Sequence, residues 1–437
     1  MGIIVTKFGG TSLADAKQLR KVADILGADP RRRYAVVSAP GKRCGTDTKV
    51  TDLLYRCCEL AQSGGEWEPV LEKIESRFRE ITDELVPAFP LTEEIGTIRR
   101  HLQTAPDRDY MASRGEYLNG RIIAAYLGWS FVDAADAVCF TADGTLDEAL
   151  TDRRLSAALT ACDHAVLPGF FGALPDGRIK TFSRGGSDIS GALAARAVGA
   201  EEYENWTDVS GMLFTDPRIV EDPRTIEWIS YRELRELSYM GASVLHEDAV
   251  FPVRRAGIPI HIRNTNRPAD EGTRIVASLP ETARRRAVTG IAGKTGFCSI
   301  QVEKSMMNGE VGFGARLLDI FASCGVPFEH CPTGIDTMSV VVSQSAFEPK
   351  REEILGRLRR ELQPELLSVE EHLAMIAVVG HGMVASRGCA ARVFRTVADA
   401  GINIRMIDQG SSELNIILGV DEADFEEAIR CIYREFR

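Results

Sequence analysis

What this chain lacks narrows it first. No stretch approaches the ~20 consecutive apolar residues that cross a bilayer. The N-terminus shows no basic segment followed by an apolar run and a small-residue cleavage site. No membrane partner and no secretory route are therefore expected. Basic excess is missing too: 52 Lys and Arg face 63 Asp and Glu, for a net charge of −11. That excludes general nucleic-acid binding, which needs a basic face, but leaves room for a local pocket that takes an anion. The ten cysteines form no CxxC pair, and Cys57-Cys58 are helix neighbours with poor disulfide geometry. Reduced thiols in a cytoplasmic protein are expected. Cys324, His330 and Cys331 lack a fourth ligand at sensible spacing, so no protein-held metal is expected.

What is present is a soluble-type composition over 437 residues, too long for one core, so two or three domains are expected. Up to about residue 280, apolar strands alternate with helical stretches. Tyr34–Ser38, Ala165–Phe170 and Ile258–Ile262 have strand character. Gln18–Leu26, Asp52–Gln62, Arg114–Leu127, Ser187–Val198 and Tyr231–Leu237 have helix character. Such alternation predicts a mainly parallel sheet with helices on both faces and ligands at the C-terminal strand ends. Residues 63–107 suggest a helical excursion, and 268–273 and 281–286 suggest loop and linker. The tail repeats itself at an offset of 76 residues: Gly312/Gly388, Arg316/Arg392, Ala322/Ala398, Gly325/Gly401 and Gly334/Gly410 coincide. A small β-rich unit cannot bury both sheet faces alone, so the copies should pack together and against a partner subunit.

Five segments converge on phosphoryl transfer. Ile3–Phe8 leads as a strand through Lys7 into Gly9-Gly10-Thr11-Ser12. Glycines there let backbone N–H groups approach an anion, and Thr11 and Ser12 are expected to cap the next helix. Val36–Gly41 is a strand ending in a small polar turn around Ser38. Ser113–Glu116 is expected to open a helix and to offer Glu116 to an ammonium group. Phe182–Asp188 holds a second glycine pair before a helix. There Arg184 suits a carboxylate, and Asp188 suits a lysine or a metal. Trp206–Gly211 is followed by Thr215–Arg218. Each segment alone could be a solvated turn or a helix-end charge. Two glycine nests with a lysine, an arginine and several acids in one α/β domain argue for a site.

These motifs resemble the aspartate kinases of the amino-acid kinase superfamily, and Gly401–Ile407 with Gln409–Glu413 resembles that family's paired ACT domains. The resemblance covers nearly the whole chain. It implies a carbamate-kinase-like, mainly parallel α/β sheet sandwiched by helices, followed by two α+β ferredoxin-like ACT domains. The implied spans are 1–285 for the catalytic domain, 286–368 for the first ACT domain and 369–437 for the second. The chain ends before any fused homoserine dehydrogenase, so a monofunctional enzyme is implied. Two positions depart from the family: Ser243 stands where members carry a lysine, and Leu213 where many carry an aromatic.

The implied reaction is ATP plus L-aspartate to ADP plus 4-phospho-L-aspartate, the first step toward lysine, threonine and methionine. A carboxylate is already ionised at pH ~7, so catalysis is positioning plus charge neutralisation. Lys7 and Asp188 are the implied catalytic pair, with Asp188 orienting Lys7 or a Mg²⁺-bound water. Gly9, Gly10, Thr11, Gly185 and Gly186 are implied at the phosphates. Ser38, Glu116, Arg184 and Ser187 are implied at aspartate, with Arg184 on the α-carboxylate and Glu116 on the α-ammonium. Thr207, Asp208 and Arg218 are implied along the nucleotide, and Mg²⁺ arrives with ATP. In the repeats, Met307, Glu329 and Asp336 are implied around an amino-acid effector, lysine and/or threonine. A homodimer or homotetramer through the ACT domains is implied. Two other readings stay open: another amino-acid kinase, and an amino-acid sensor without turnover.

Overall fold

The computed structural model describes residues 2–437 except Arg184, Ser243, Val244, His246, Arg285 and Ala385, and omits the side chains of Glu247, Asp248 and Ala249. Among the described residues no helix is long and apolar enough to cross a membrane. The chain forms two compact units. One comprises Met1–Met212, Glu227–Tyr231 and Val244–Ser278; the other comprises Leu213–Ile226, Arg232–Ser243 and Leu279–Arg437.

The first unit begins with β1 (Ile4–Phe8), α1 (Ala16–Gly27) and β2 (Arg32–Val37), then the helical excursion α2 (Val50–Gln62), α3 (Glu68–Leu85) and α4 (Leu91–Thr104). There follow α5 (Arg108–Leu127), β3 (Ser130–Phe131), α6 (Ala134–Ala137), α7 (Glu148–Thr160), β4 (Ala165–Pro168), β5 (Phe171–Ala173), β6 (Ile179–Thr181), α8 (Gly186–Ala197), β7 (Glu202–Thr207) and β8 (Trp228–Ser230). After α9 (Tyr231–Tyr239), which belongs to the second unit from Arg232 onward, come α10 (Glu247–Ala256), β9 (Ile260–Asn264) and β10 (Thr273–Val276). The main sheet has the order β3-β4-β2-β1-β7-β9-β10-β8. All neighbours run parallel except β9 and β10. Every residue of β1 is buried, as expected of a central parallel strand covered on both faces. Because β1, β2, β4, β7 and β9 are parallel, the turns after Phe8, Val37, Pro168, Thr207 and Asn264 open on one edge.

Three local expectations change. Thr11 and Ser12 do not cap α1: Gly10–Leu13 makes a single 3-10 turn, and Asp15 accepts from Gln18 N at 2.9 Å as the cap. Ser12 Oγ instead meets Thr265 Oγ1 at 2.8 Å, tying the turn to the end of β9. Ser113–Glu116 does not open its helix, because Asp107 caps α5 earlier by accepting from Tyr110 N at 2.7 Å. The strand at 165 stops at Pro168, since Phe170 adopts φ +79°.

From Leu279 the second unit continues with α11 (Glu281–Arg284) and β11 (Gly290–Glu303), then α12 (Phe313–Ser323), β12 (Phe328–His330), β13 (Thr337–Ser343), α13 (Gln344–Phe347), α14 (Arg351–Leu362) and β14 (Leu366–Val379). It ends with α15 (Cys389–Asp399), β15 (Met406–Asp408), β16 (Asn415–Asp421) and α16 (Phe425–Phe436). The repeat is visible here: α12 and α15 begin 76 residues apart, each after a glycine of positive φ. The two copies share one antiparallel sheet of order β12-β13-β11-β14-β16-β15. The central pair β11 and β14 runs through both copies and shifts register around residues 294–299. The edge strands also meet, with His330 Nδ1 2.8 Å from Asp408 Oδ2. Ile300, Leu317, Phe321, Val340 and Leu358 form the core of the first copy.

One buried pair pins the main sheet. Arg32 on β2 donates to Glu204 on β7 through Nε at 2.8 Å and Nη2 at 3.0 Å, and Trp206 Nε1 donates to the same carboxylate at 2.8 Å. Breaking one side of a buried ion pair leaves the other charge stranded and typically costs ~3–5 kcal/mol. Glu204→Ala should lower the urea unfolding free energy by an amount of that order; a loss under ~1 kcal/mol would show that the pair is not structural.

Candidate active site

Five turns converge on the open edge of the sheet. Lys7 is 7% exposed, and its Nζ lies 2.5 Å from Asp188 Oδ1. Asp188 sits in the first turn of α8, and Asn205 on β7 donates Nδ2 to the same oxygen at 2.7 Å. Tyr203 OH donates to the Asp188 carbonyl at 3.1 Å. The strand period puts Lys7 and Asn205 side by side, since they are register partners on β1 and β7. Lysine and acid therefore arrive at the site already paired, and the acid is held from a second strand.

The two glycine nests flank this pair. Gly9 N donates to Trp206 O at 3.0 Å. Gly41 N donates to Gly10 O at 2.8 Å, and a Cβ on Gly41 would lie 2.5 Å from the Gly10 carbonyl carbon. No side chain fits there, so the two turns approach as closely as backbones allow. Gly185 takes φ +59° as the N-cap of α8, so the first amides of that helix are directed outward, where an anion is stabilised. Phe170, in the unfavourable left-handed region, donates its amide to Ser190 Oγ of α8 at 3.0 Å. Ser187 packs against Gly169, where a Cβ would meet its Cα at 2.8 Å.

Glu116 lies on α5 beside the second turn. It is 5% exposed, and its Oε2 has no hydrogen-bond partner in the described protein. Burial pushes its carboxyl up to about 8, against the opposing pull of the Ala39 and Glu116 backbone amides and the charge of Arg114. Asn119, one turn on, donates to Ser38 O at 2.7 Å and fixes that loop. Among the described residues Glu116 is thus a buried acid with no ion-pair partner at its carboxylate.

The nucleotide-side residues divide. Thr207 and Asp208 follow β7; Thr207 Oγ1 donates to Asp208 Oδ1 at 3.2 Å, and Asn264 Nδ2 donates to Asp208 O at 3.3 Å. Arg218 belongs to the second unit, where it is paired with Asp216 at 2.6 Å. Arg184 and Ser243 lie outside the described residues. Thr11 is exposed. Among the described residues, the group with ligand-like spacing for a metal is Glu202, Glu204 and His261, and Arg32, Arg263 and Arg274 already meet its carboxylates.

The effector candidates occupy different places in the second unit. Met307 is buried in the core of the first copy. Asp336 accepts from Met306 N at 2.9 Å, as the acid that closes a turn. Glu329, on edge strand β12, accepts from the hydroxyl of Tyr239 on α9. Sequence reasoning missed Asn205, Asn119 and Tyr239. Only Asn205 left a trace, as a polar residue inside the strand Glu202–Thr207.

Comparison with known proteins agrees with this geometry. Residues 2–264 match the model of the amino acid kinase family, and residues 376–436 match an ACT domain. Aspartokinase 3 of Bacillus subtilis is 40% identical over 447 residues, covering 99% of this chain and 98% of that protein. The crystal structure of Clostridium acetobutylicum aspartate kinase is 44% identical, covers 100% of both chains and superposes with a TM-score of 0.91. E. coli aspartokinase III in complex with aspartate and ADP is 25% identical over 99% of both chains, with a TM-score of 0.72. The same enzyme with lysine and aspartate is 26% identical at a TM-score of 0.74. The chain belongs to the amino acid kinase family, within it to the aspartokinases.

The buried Glu116 carries a pH signature. Its carboxyl rises from 4.5 to about 8 on folding, so the folded chain holds this proton more tightly than the unfolded one. The resulting stability is fully present below its unfolded value and is lost as pH rises through about 8. The ligand-free wild type should lose thermal stability across that window, and Glu116→Gln should flatten the slope; identical slopes would show that the carboxyl is not perturbed.

Proposed function

We propose that this protein is an aspartate kinase that transfers the γ-phosphoryl group of ATP to the side-chain carboxylate of L-aspartate, and that its ACT sheet regulates it. The observation that carries the reading is Lys7 paired at 2.5 Å with Asp188 between two glycine turns, with the buried acid Glu116, one of whose oxygens has no partner among the described residues, behind the Ser38 turn. The carboxylate of aspartate needs no deprotonation. The chain's task is to align it with the phosphorus and to neutralise charge. Lys7 follows the transferring phosphoryl group, and Asp188 holds the ammonium in place. The Gly9 amide is taken by Trp206 O, so Gly9 serves only the close approach of the turn, and the amides of Gly10, Gly185 and Gly186, with Thr11, receive phosphate oxygens. Ser38 and Ser187 line the aspartate side, Glu116 takes its α-ammonium, and Arg184 takes its α-carboxylate. Thr207 and Asp208 serve the nucleotide.

Mg²⁺ enters with ATP and, when bound, neutralises phosphate charge. Asp188, at this edge, suits the ion or its water. Ten free cysteines suit a reducing cytoplasm. The edge strands β12 and β15 leave Phe328 and Ile407 about half exposed, which supports self-association through the ACT sheet.

Lysine, alone or with threonine, is the effector we assign to the ACT sheet. Burial first, then the hydrogen bond to Glu329, pushes the Tyr239 hydroxyl up to about 12, so it stays a donor at physiological pH. A cationic amino group arriving at Glu329 competes with that donor. The family's amino-acid binding thereby acquires a coupling element, Tyr239 on α9, in the same unit.

Purified protein with ATP and hydroxylamine should form aspartyl hydroxamate from aspartate, and little product from glutamate or N-acetylglutamate. The reverse preference would assign another amino-acid kinase. Binding of aspartate near pH ~7 should release up to one proton as its ammonium ionises Glu116, measured calorimetrically in buffers of different ionisation heat. Glu116→Gln should release none. Lysine should inhibit the wild type, with coupling in the usual range of ~1–3 kcal/mol, or 5–150-fold. Glu329→Ala should abolish that inhibition with catalysis retained, and Tyr239→Phe should lower the lysine concentration needed. Unchanged inhibition in both variants would contradict the assignment.

A further inference from the structure

Helix α3 lies in the excursion between β2 and β3 and carries none of the residues assigned above. One of its side chains nevertheless reaches the active-site turns. Arg77 is 5% exposed, and its guanidinium meets four acceptors on three separate passages of chain. Nη2 donates to Ala14 O at 3.2 Å and to Gly41 O at 2.9 Å. Nη1 donates to Thr48 O at 3.3 Å and to Asp47 Oδ2 at 3.0 Å. Ala14 follows the turn that begins at Gly10. Gly41 bonds Gly10 directly. Thr48 ends the loop before α2. One buried cation thus joins the phosphate-side turn to both ends of the loop that leaves Ser38.

Asp47 reinforces the arrangement. It also accepts from Arg43 N at 2.9 Å and Arg43 Nε at 3.0 Å. Burial works against its charge, but the Arg43 hydrogen bonds and the charge of Arg77 outweigh burial and hold its carboxyl at about 2. Asp47 is therefore committed to two arginines rather than to substrate. The planar five-donor fork of arginine can serve several acceptors at fixed angles, whereas an ammonium is a point charge that cannot reproduce the set.

We propose that Arg77 is a positioning residue for phosphoryl transfer, fixing the loop from Ser38 to Thr48 against the Gly9–Gly10 turn so that carboxylate and phosphorus meet in line. This rests on the aspartate kinase reading above. A misplacement near 1 Å is enough to lower a rate by ~10²-fold without removing any group that touches substrate.

The test is Arg77→Lys in the full-length protein. Binding-competent sites are counted calorimetrically with aspartate and a non-hydrolysable ATP analogue, and turnover is expressed per site. The expected result is an unchanged number of sites with kcat lowered ~10-fold or more. Arg77→Ala should recover part of its turnover with millimolar guanidinium, and the wild type should gain nothing. Asp47→Asn keeps the arginine and loosens one corner, and its kcat per site should fall at least threefold. If Arg77→Lys does not fold, Asp47→Asn decides. Turnover per site within twofold of wild type in either folded variant overturns the proposal, as does a loss of activity matched by a loss of sites. Wild-type turnover with aspartate, measured alongside, separates failure of the kinase reading from failure of this one.

Discussion

The arrangement of the first unit depends on one short ion pair, Lys7 with Asp188 at 2.5 Å. A lysine on a central parallel strand is an unusual occupant, and Lys7 is tolerated because a helix N-terminus delivers an acid to it. That delivery needs several other features. Gly185 must take its left-handed turn, Ser190 must hold the Phe170 amide, and β7 must lie beside β1 so that Asn205 can hold the acid. Each of these would be a local oddity alone. Together they form a preorganised charge pair at a helix N-terminus, the end that favours an anion. Such preorganisation is how protein dipoles and charges stabilise a transition state without reorganising during the reaction.

Glu116 plays the complementary part. Its environment penalises its charge, so the free protein holds a carboxyl group that the right cation would ionise. In the proposed reading, a substrate that carries both an ammonium and a carboxylate would ionise Glu116 with the one and meet basic groups with the other. Such a two-ended electrostatic demand is the physical reason we propose for an amino-acid substrate. The acidic net charge of the whole chain does not conflict with it, since the relevant field is local.

Much of this was legible in the sequence because the information was local. Lys7-Phe8-Gly9-Gly10 and Phe182–Asp188 announce their chemistry within a few residues, and the glycines at 312 and 388 mark two helices that begin at equivalent points. What was not legible is long-range or conformational. In the sequence Asp107 reads as the end of an acidic excursion rather than as a cap, so the pattern places the start of the helix bearing Glu116 later than Arg108. Phe170 gave no hint of its positive φ, because what demands it is the hold of α8 on the turn after β4, through Ser190 on the Phe170 amide and Ser187 against Gly169. The link between His330 and Asp408 joins strands at opposite ends of the sheet order, which no repeat pattern reveals. Arg77 was one charge among many in an amphipathic helix, and its four acceptors are scattered over residues 14–48.

The most direct measurement is single-turnover phosphoryl transfer in Lys7→Ala by rapid quench, with aspartate and ATP binding measured on the same preparation. Removing one preorganised electrostatic group from a transition state typically lowers the rate by ~10²–10³-fold. The account predicts a loss of at least that size in the chemical step, with aspartate still bound. A folded Lys7→Ala protein that transfers phosphate at near wild-type rate would contradict it.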